Sequence, residues 1–202
     1  MEDLLMAYFE KLRKWLEICI QLLLQKPSAP DKPKIEQTIR EKREDILMEV
    51  NWLDPKAKVS KYFTVHECTF LPSWRIYHQP SEEEKKTIIE FAKTMDIVRE
   101  RIGKPITVHV WIRPKSVNAP GSDRHGQDYN LFIGSKSTKS GHIFGNACDF
   151  HVSGYIGPEK CAEIRAKIMP WLEELDIRME DINGGWVHLD SKPVGSKRFF
   201  KP

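Results

Sequence analysis

Apolar residues recur at helical spacing over residues 1–25: Leu5, Tyr8, Leu12, Trp15, Leu16, Cys19, Ile20 and Leu23 share one side of the wheel. Glu10, Lys11, Arg13, Lys14 and Glu17 fall largely elsewhere. The pattern predicts an amphipathic helix whose stripe packs against the rest of the protein, a second copy of the chain or a virion partner. Pro27, Pro30 and Pro33 end it and form a stiff connector, after which a highly charged helical pattern resumes over residues 35–50. Residues 52–59, with Asp54-Pro55, read as a linker. Residues 1–55 are therefore expected as a helical extension and residues 60–202 as the main domain.

Beyond Tyr62 the chain is aromatic-rich and irregular, through Phe63, Phe70, Trp74 and Tyr77. A helix is then expected between Ser81, which with Glu84 forms a capping box, and Gly103, which stops it. Its buried stripe is Ile88, Phe91, Ala92, Met95, Val98 and Ile102. The β-branched and aromatic run at residues 106–112 predicts a buried strand, in which His109 and Trp111 alternate and His109 is expected to pack. A polar loop follows over residues 115–140, then a strand near residues 147–152. Gly157-Pro158 opens a helix that Pro170 breaks, and Trp186-Val-His-Leu-Asp190 predicts a last strand. Helices and strands mixed without regular βαβ alternation give an α+β fold.

Composition narrows the choice of function. The 202 residues carry 32 Lys and Arg against 29 Asp and Glu, a net charge of +3 too small and too evenly spread to argue for nucleic acid. A modest basic cluster, Lys192, Lys197, Arg198 and Lys201, reads as a solvated tail. The four cysteines, Cys19, Cys68, Cys148 and Cys161, form no C-x-x-C pair, which excludes a cysteine zinc knuckle and a dense disulfide framework. The apolar stretch at residues 15–24 is interrupted by Glu17 and Gln21 and is too short to span a bilayer. The Met-Glu-Asp start lacks the basic region of a secretory signal, so a soluble chain is expected.

The chemistry concentrates in Ser140-Gly-His142-Ile-Phe-Gly145-Asn-Ala147-Cys-Asp149, where an imidazole and a carboxylate flank a glycine. A catalytic zinc takes three protein ligands and leaves a fourth position open, so this pair lacks one donor. His188 can supply it: strand alternation would place Trp186, His188 and Asp190 on one face and Val187 and Leu189 toward the core. His142, Asp149 and His188 are the candidate metal ligands.

These residues resemble the M15 peptidases, the zinc D-Ala-D-Ala carboxypeptidases and phage or bacterial peptidoglycan endopeptidases whose fold is shared with the hedgehog signalling domain. The match runs through Ser140, His142, Gly145, Ala147, Asp149, Trp186, His188 and Asp190. Upstream, Tyr62-Phe-Thr, Gly103-Lys-Pro-Ile and Arg113-Pro114 with Asn118 extend it over roughly residues 60–202. The resemblance implies a small hedgehog/DD-peptidase-like domain, Zn2+ at His142, Asp149 and His188, and Arg113 on the substrate carbonyl or oxyanion. It also implies peptidoglycan peptides as substrate, and a phage-type protein that stays cytoplasmic until release, or rides in a virion, and acts at the bacterial wall.

One position departs from the pattern. Many members carry a catalytic glutamate three residues before the last histidine, where this chain has Gly185. Asp190 is the candidate substitute, either as the base or as the holder of the His188 ring. Two functions follow: a peptidoglycan peptidase, or a metal-containing binding or virion module without turnover, which Gly185 favours and Arg113 and Asp190 oppose.

Overall fold

The computed structural model describes residues 50–135, 137–195 and 197–201. The amphipathic helix, the Pro-rich connector and the charged helix expected before residue 50 lie outside them. The described elements are, in order, α1 (Val65–Thr69), β1 (Phe70–Leu71), β2 (Ile76–Tyr77), α2 (Glu82–Ile102), β3 (Ile106–Val110), α3 (Tyr129–Phe132), β4 (Ala147–Val152), α4 (Pro158–Ile168), β5 (Arg178–Glu180), β6 (Val187–Asp190) and β7 (Phe199–Phe200). Short 3-10 segments occupy Gly141–Phe144 and Met169–Trp171. The fold is α+β.

β1 and β2 pair in a small hairpin, and the other five strands form one sheet in the order β3-β4-β6-β5-β7. Its pairs are antiparallel except β5 with β7. The alternation of β4 sends Cys148, Phe150 and Val152 into the core, where they join Val187 and Leu189 of β6 and Met179 of β5. The opposite face carries Asp149 and His151 of β4 and His188 and Asp190 of β6, with Asp149 directly across from His188. One face of the sheet is thus apolar cement, and the other holds the chemistry.

α2 forms where the sequence expects it. Ser81 Oγ accepts from the Glu84 amide while the Glu84 carboxylate accepts from the Ser81 amide at 2.7 Å, satisfying amides that the first turn leaves unpaired. Gly103, at φ 72°, closes the helix by donating to the Arg99 and Glu100 carbonyls. Ile88, Phe91, Ala92, Met95 and Val98 are buried, as is Cys161, Ile164 and Ile168 of α4 in the same core; each large side chain contributes roughly 1.5–3 kcal/mol by leaving water. α4 stops at Ile168, two residues before Pro170, and a 3-10 turn takes over.

Residues 52–59 are not a bare linker. Val59 is buried and Trp52 and Ala57 pack on the core. The following turn is pinned to α2 by buried Asp96, which accepts from Ser60 Oγ and from the amides of Lys61 and Tyr62 at 2.9–3.1 Å. The strand expected over residues 106–112 ends at Val110, and Trp111 and Ile112 continue fully buried without pairing. Cys68, Cys148 and Cys161 are free, buried thiols. No helix among the described residues is long and apolar enough to cross a membrane.

Candidate metal centre

His142 sits in the 3-10 turn at residues 141–144, and its position is set by the chain leaving β3. The Arg113 amide donates to the His142 carbonyl at 2.8 Å, and the Trp111 carbonyl lies 2.7 Å from His142 Nδ1. A carbonyl only accepts, so Nδ1 carries the proton and the Nε2 lone pair points away from it. The Trp111 indole in turn donates to the Gly145 carbonyl at 2.7 Å, and its ring is held edge-on by Phe63 and Phe91.

Two glycines let this turn close. Gly145 has φ 77°, and a Cβ there would lie 2.6 Å from Ile88 of α2. Gly141 has a different reason: a Cβ would come within 3.2 Å of Asn146, Ala147 and Asp190 together. The Gly-His-Ile-Phe-Gly spacing therefore allows a tight turn to be pressed against both α2 and the start of β4.

The sheet brings the other two donors to His142. Asp149 Oδ1 lies 3.2 Å from His142 Nε2 and 2.6 Å from His188 Nδ1, and the two ring nitrogens are 3.2 Å apart. A tetrahedral centre with ligand bonds of about 2.0–2.1 Å has donor-to-donor edges of about 3.3 Å, so the triangle needs only a slight opening to fit one. Among the described residues these three form the one His/Cys/Asp/Glu group of this size whose donor atoms lie within 4.8 Å of one another. The group can hold a metal ion.

Behind His188 the structure places Asp190. Its Oδ2 lies 3.4 Å from His188 Nε2, and both carboxylate oxygens accept from Arg178 of β5 at 2.7 Å, one from Nε and one from Nη2. The Lys192 amide adds a third donor at 3.0 Å. Asp190 is 1% exposed and stands on the far side of the imidazole from Asp149. These contacts anchor the His188 ring from the side opposite Asp149, the geometry of a carboxylate that holds an imidazole in place. Arg178 is itself seated over the Phe200 ring, 4.4 Å from its centroid, so β7 backs the assembly.

The electrostatics follow the same layout. Burial works against charge on Asp149, yet His142 and His188 hold its carboxyl far below the ordinary carboxylate range. Burial also disfavours the His188 cation, but hydrogen bonds to Asp149 and Asp190 raise its pKa to about 9. His142, fully buried, is pushed down instead. Asp190, despite its burial, is brought to about 2 by His188, Arg178 and the Lys192 amide. Asp149 at Nδ1 and Asp190 at Nε2 thus both favour the protonated form of the His188 ring against the cost of its burial.

Arg113 donates through Nη2 to Ser140 Oγ at 3.2 Å, while its buried Nε has no partner among the described residues. Burial lowers its pKa, and Asp149, Glu180 and Tyr129 are the anionic or polar groups that oppose this. Asn118, which the sequence groups with Arg113, serves the framework: it bonds to His78 and to the Gln79 carbonyl. Gly185 offers no side chain to the site.

The residue that sequence reasoning missed is Glu180. It stands two places after Arg178 on β5, half-buried, and burial raises its pKa; Asp149 and Asp190 add to the rise while His188 and Arg113 oppose it. Two places from Arg178, which pairs with Asp190, it falls by strand alternation on the sheet face that carries Asp190 and His188. The polar-apolar-polar run Arg178-Met179-Glu180 was the one signal available for it. His109, expected to pack, is exposed on the same sheet face and touches half-buried His151. No family model matches this chain, and no curated protein or solved structure matches it.

Proposed function

We propose that this chain is a zinc-dependent peptidase that hydrolyses a stem-peptide or cross-link amide of peptidoglycan, on a domain of the hedgehog/DD-peptidase type. The observation that carries the reading is the His142–Asp149–His188 triangle, with Arg113 and Glu180 beside it. The substrate class rests on the resemblance to the M15 peptidases. That resemblance also favours a phage-type protein acting at the bacterial wall.

His142, Asp149 and His188 would hold the Zn2+, which when bound would supply Lewis acidity toward a water and the scissile carbonyl. Each residue of the chain then has a separate task. Glu180 receives the proton of the attacking water and passes it to the leaving amine, a role suited to a carboxylate whose pKa is lifted by burial. Arg113, a fixed cation with an unused donor, stabilises the charge that develops on the carbonyl oxygen. Trp111 holds His142, and Asp190 with Arg178 holds His188, so that Nε2 of one ring and Nδ1 of the other face Asp149.

Purified chain is expected to release new amino groups from purified peptidoglycan, to stop on chelation and to recover with Zn2+. Metal analysis should find zinc in the wild type and lose it in His188→Ala. Zinc without release from walls of several bacterial types would reduce the protein to a metal-containing binding module. Absence of zinc would remove the reading altogether.

A further inference from the structure

Two further imidazoles meet on the chemistry-bearing face of the sheet, next to the centre described above. β3 pairs with β4 through Ile106–Val152, Thr107–His151 and Val108–Phe150, and then the register slips so that Val110, not His109, stands opposite Asp149. The extra residue at this bulge is His109. Bulges re-aim a side chain, and here His109 Nε2 comes to 2.5 Å from His151 Nδ1, with ring centroids 4.8 Å apart and planes at 53°. Among the described residues the other nitrogen of each ring has no hydrogen-bond partner.

Two imidazole nitrogens that face each other have only two comfortable states: one proton shared between them, or both lone pairs turned to one cation. For metal–nitrogen bonds of about 2.0–2.1 Å, neighbouring donors stand about 2.9–3.4 Å apart, so these rings would open by less than about 1 Å. His109 is exposed and His151 half-buried, which leaves the remaining coordination positions to water. Asp149 acts electrostatically on His109 and favours positive charge there.

We propose that His109 and His151 form a second binding site for a divalent first-row transition-metal ion, distinct from the His142–Asp149–His188 centre. Two neutral imidazoles favour Zn2+, Ni2+ or Cu2+ over Mg2+ and Ca2+, which require oxygen donors. With two protein ligands instead of three the site binds more weakly and exchanges faster than the first. It stands whether or not the chain is a peptidase.

The test uses the full chain preloaded with one equivalent of zinc and titrated with Ni2+, with the bound metals counted after dialysis. Wild type is expected to hold about two ions, three-ligand zinc and two-ligand nickel, whereas His109→Ala and His151→Ala each keep the zinc and lose the nickel. His188→Ala is expected to do the reverse, so loss of the first site is distinguishable from loss of the second. In the zinc-loaded wild type, substoichiometric Cu2+ should broaden the His109 and His151 ring resonances before those of His66 and His125, a readout that needs no variant. The proposal is overturned if wild type takes up no Ni2+ beyond the zinc, if the His109→Ala/His151→Ala double variant still binds it, or if the broadening begins at other histidines.

Discussion

Arg178→Met tests whether the charge pair behind His188 governs the metal centre. The substitution keeps the length of the aliphatic stem and leaves the Asp190 carboxylate buried, with two 2.7 Å bonds removed and the Lys192 amide and His188 as its remaining partners. Removing one member of a buried pair costs about 3–5 kcal/mol, because the other charge stays desolvated. The Arg178 side chain is 15% exposed, which puts the expectation near the lower end, about 3 kcal/mol. For a chain of this size each kcal/mol moves Tm by about 2–4 °C, so thermal unfolding at pH 7 should show a drop of roughly 6–12 °C. Zinc affinity, measured by competition with a chromophoric chelator, should fall about 10–100-fold as the His188 ring loses its anchor. Adding Asp190→Asn removes the stranded charge and should recover part of the lost stability. A single variant within about 1 kcal/mol of wild type, the behaviour of an exposed pair, would refute the reasoning, as would a double variant no more stable than the single one.

Three further outcomes are expected. In the metal-free chain the raised pKa of His188 gives stability that is complete below its unfolded value of about 6.5 and is lost as pH rises through about 9, so Tm should fall across that window. Zinc replaces that proton, so the loaded chain should not show the fall, and calorimetry in buffers of different ionisation enthalpy at pH 7 should detect proton release on binding; a buffer-independent heat would contradict the His188–Asp149 ion pair. Glu180→Gln should lower kcat by about 10²–10⁴-fold with zinc content unchanged, and unchanged turnover would take the proton from Glu180. Gly145→Ala should cost about 1–3 kcal/mol in unfolding, since it forces a side chain to φ 77° and against Ile88; chemical denaturation with an unshifted midpoint would count against that packing.

The parts of this molecule that were legible from sequence are those whose causes are local. Ser81 and Glu84 stand three residues apart and satisfy each other's amides without help from the fold, and Gly103 ends α2 by its own φ. His142 and Asp149 were legible because one turn and one strand start separate them, and His188 because alternation alone decides its face. Glu180 has only the weak alternation of Arg178-Met179-Glu180 to mark it. Its strand has three residues, lies among Glu173, Glu174, Asp176 and Asp181, and exists only because β6 and β7 flank it. The same long-range pairing delivers Arg178 to Asp190, a contact that no local spacing announces. His109 was misplaced because simple alternation does not foresee the slip between Val108 and Val110. Trp52 and Val59 were read as linker because Asp54-Pro55 breaks the local pattern, while the contacts that bury them come from far along the chain.

The alternation along β4 has an evolutionary consequence. Cys148, Phe150 and Val152 serve the interior while Asp149 and His151, between them, serve the outer face, so a single strand is written in two interleaved messages. Substitutions edit one message at a time. Insertion or deletion of one residue exchanges the two, driving Asp149 inward and Phe150 outward in one step. Length variation among descendants of this chain should therefore be purged from residues 147–152 and accumulate in the exposed loop at residues 120–127, where a change of length exchanges no buried face for an exposed one.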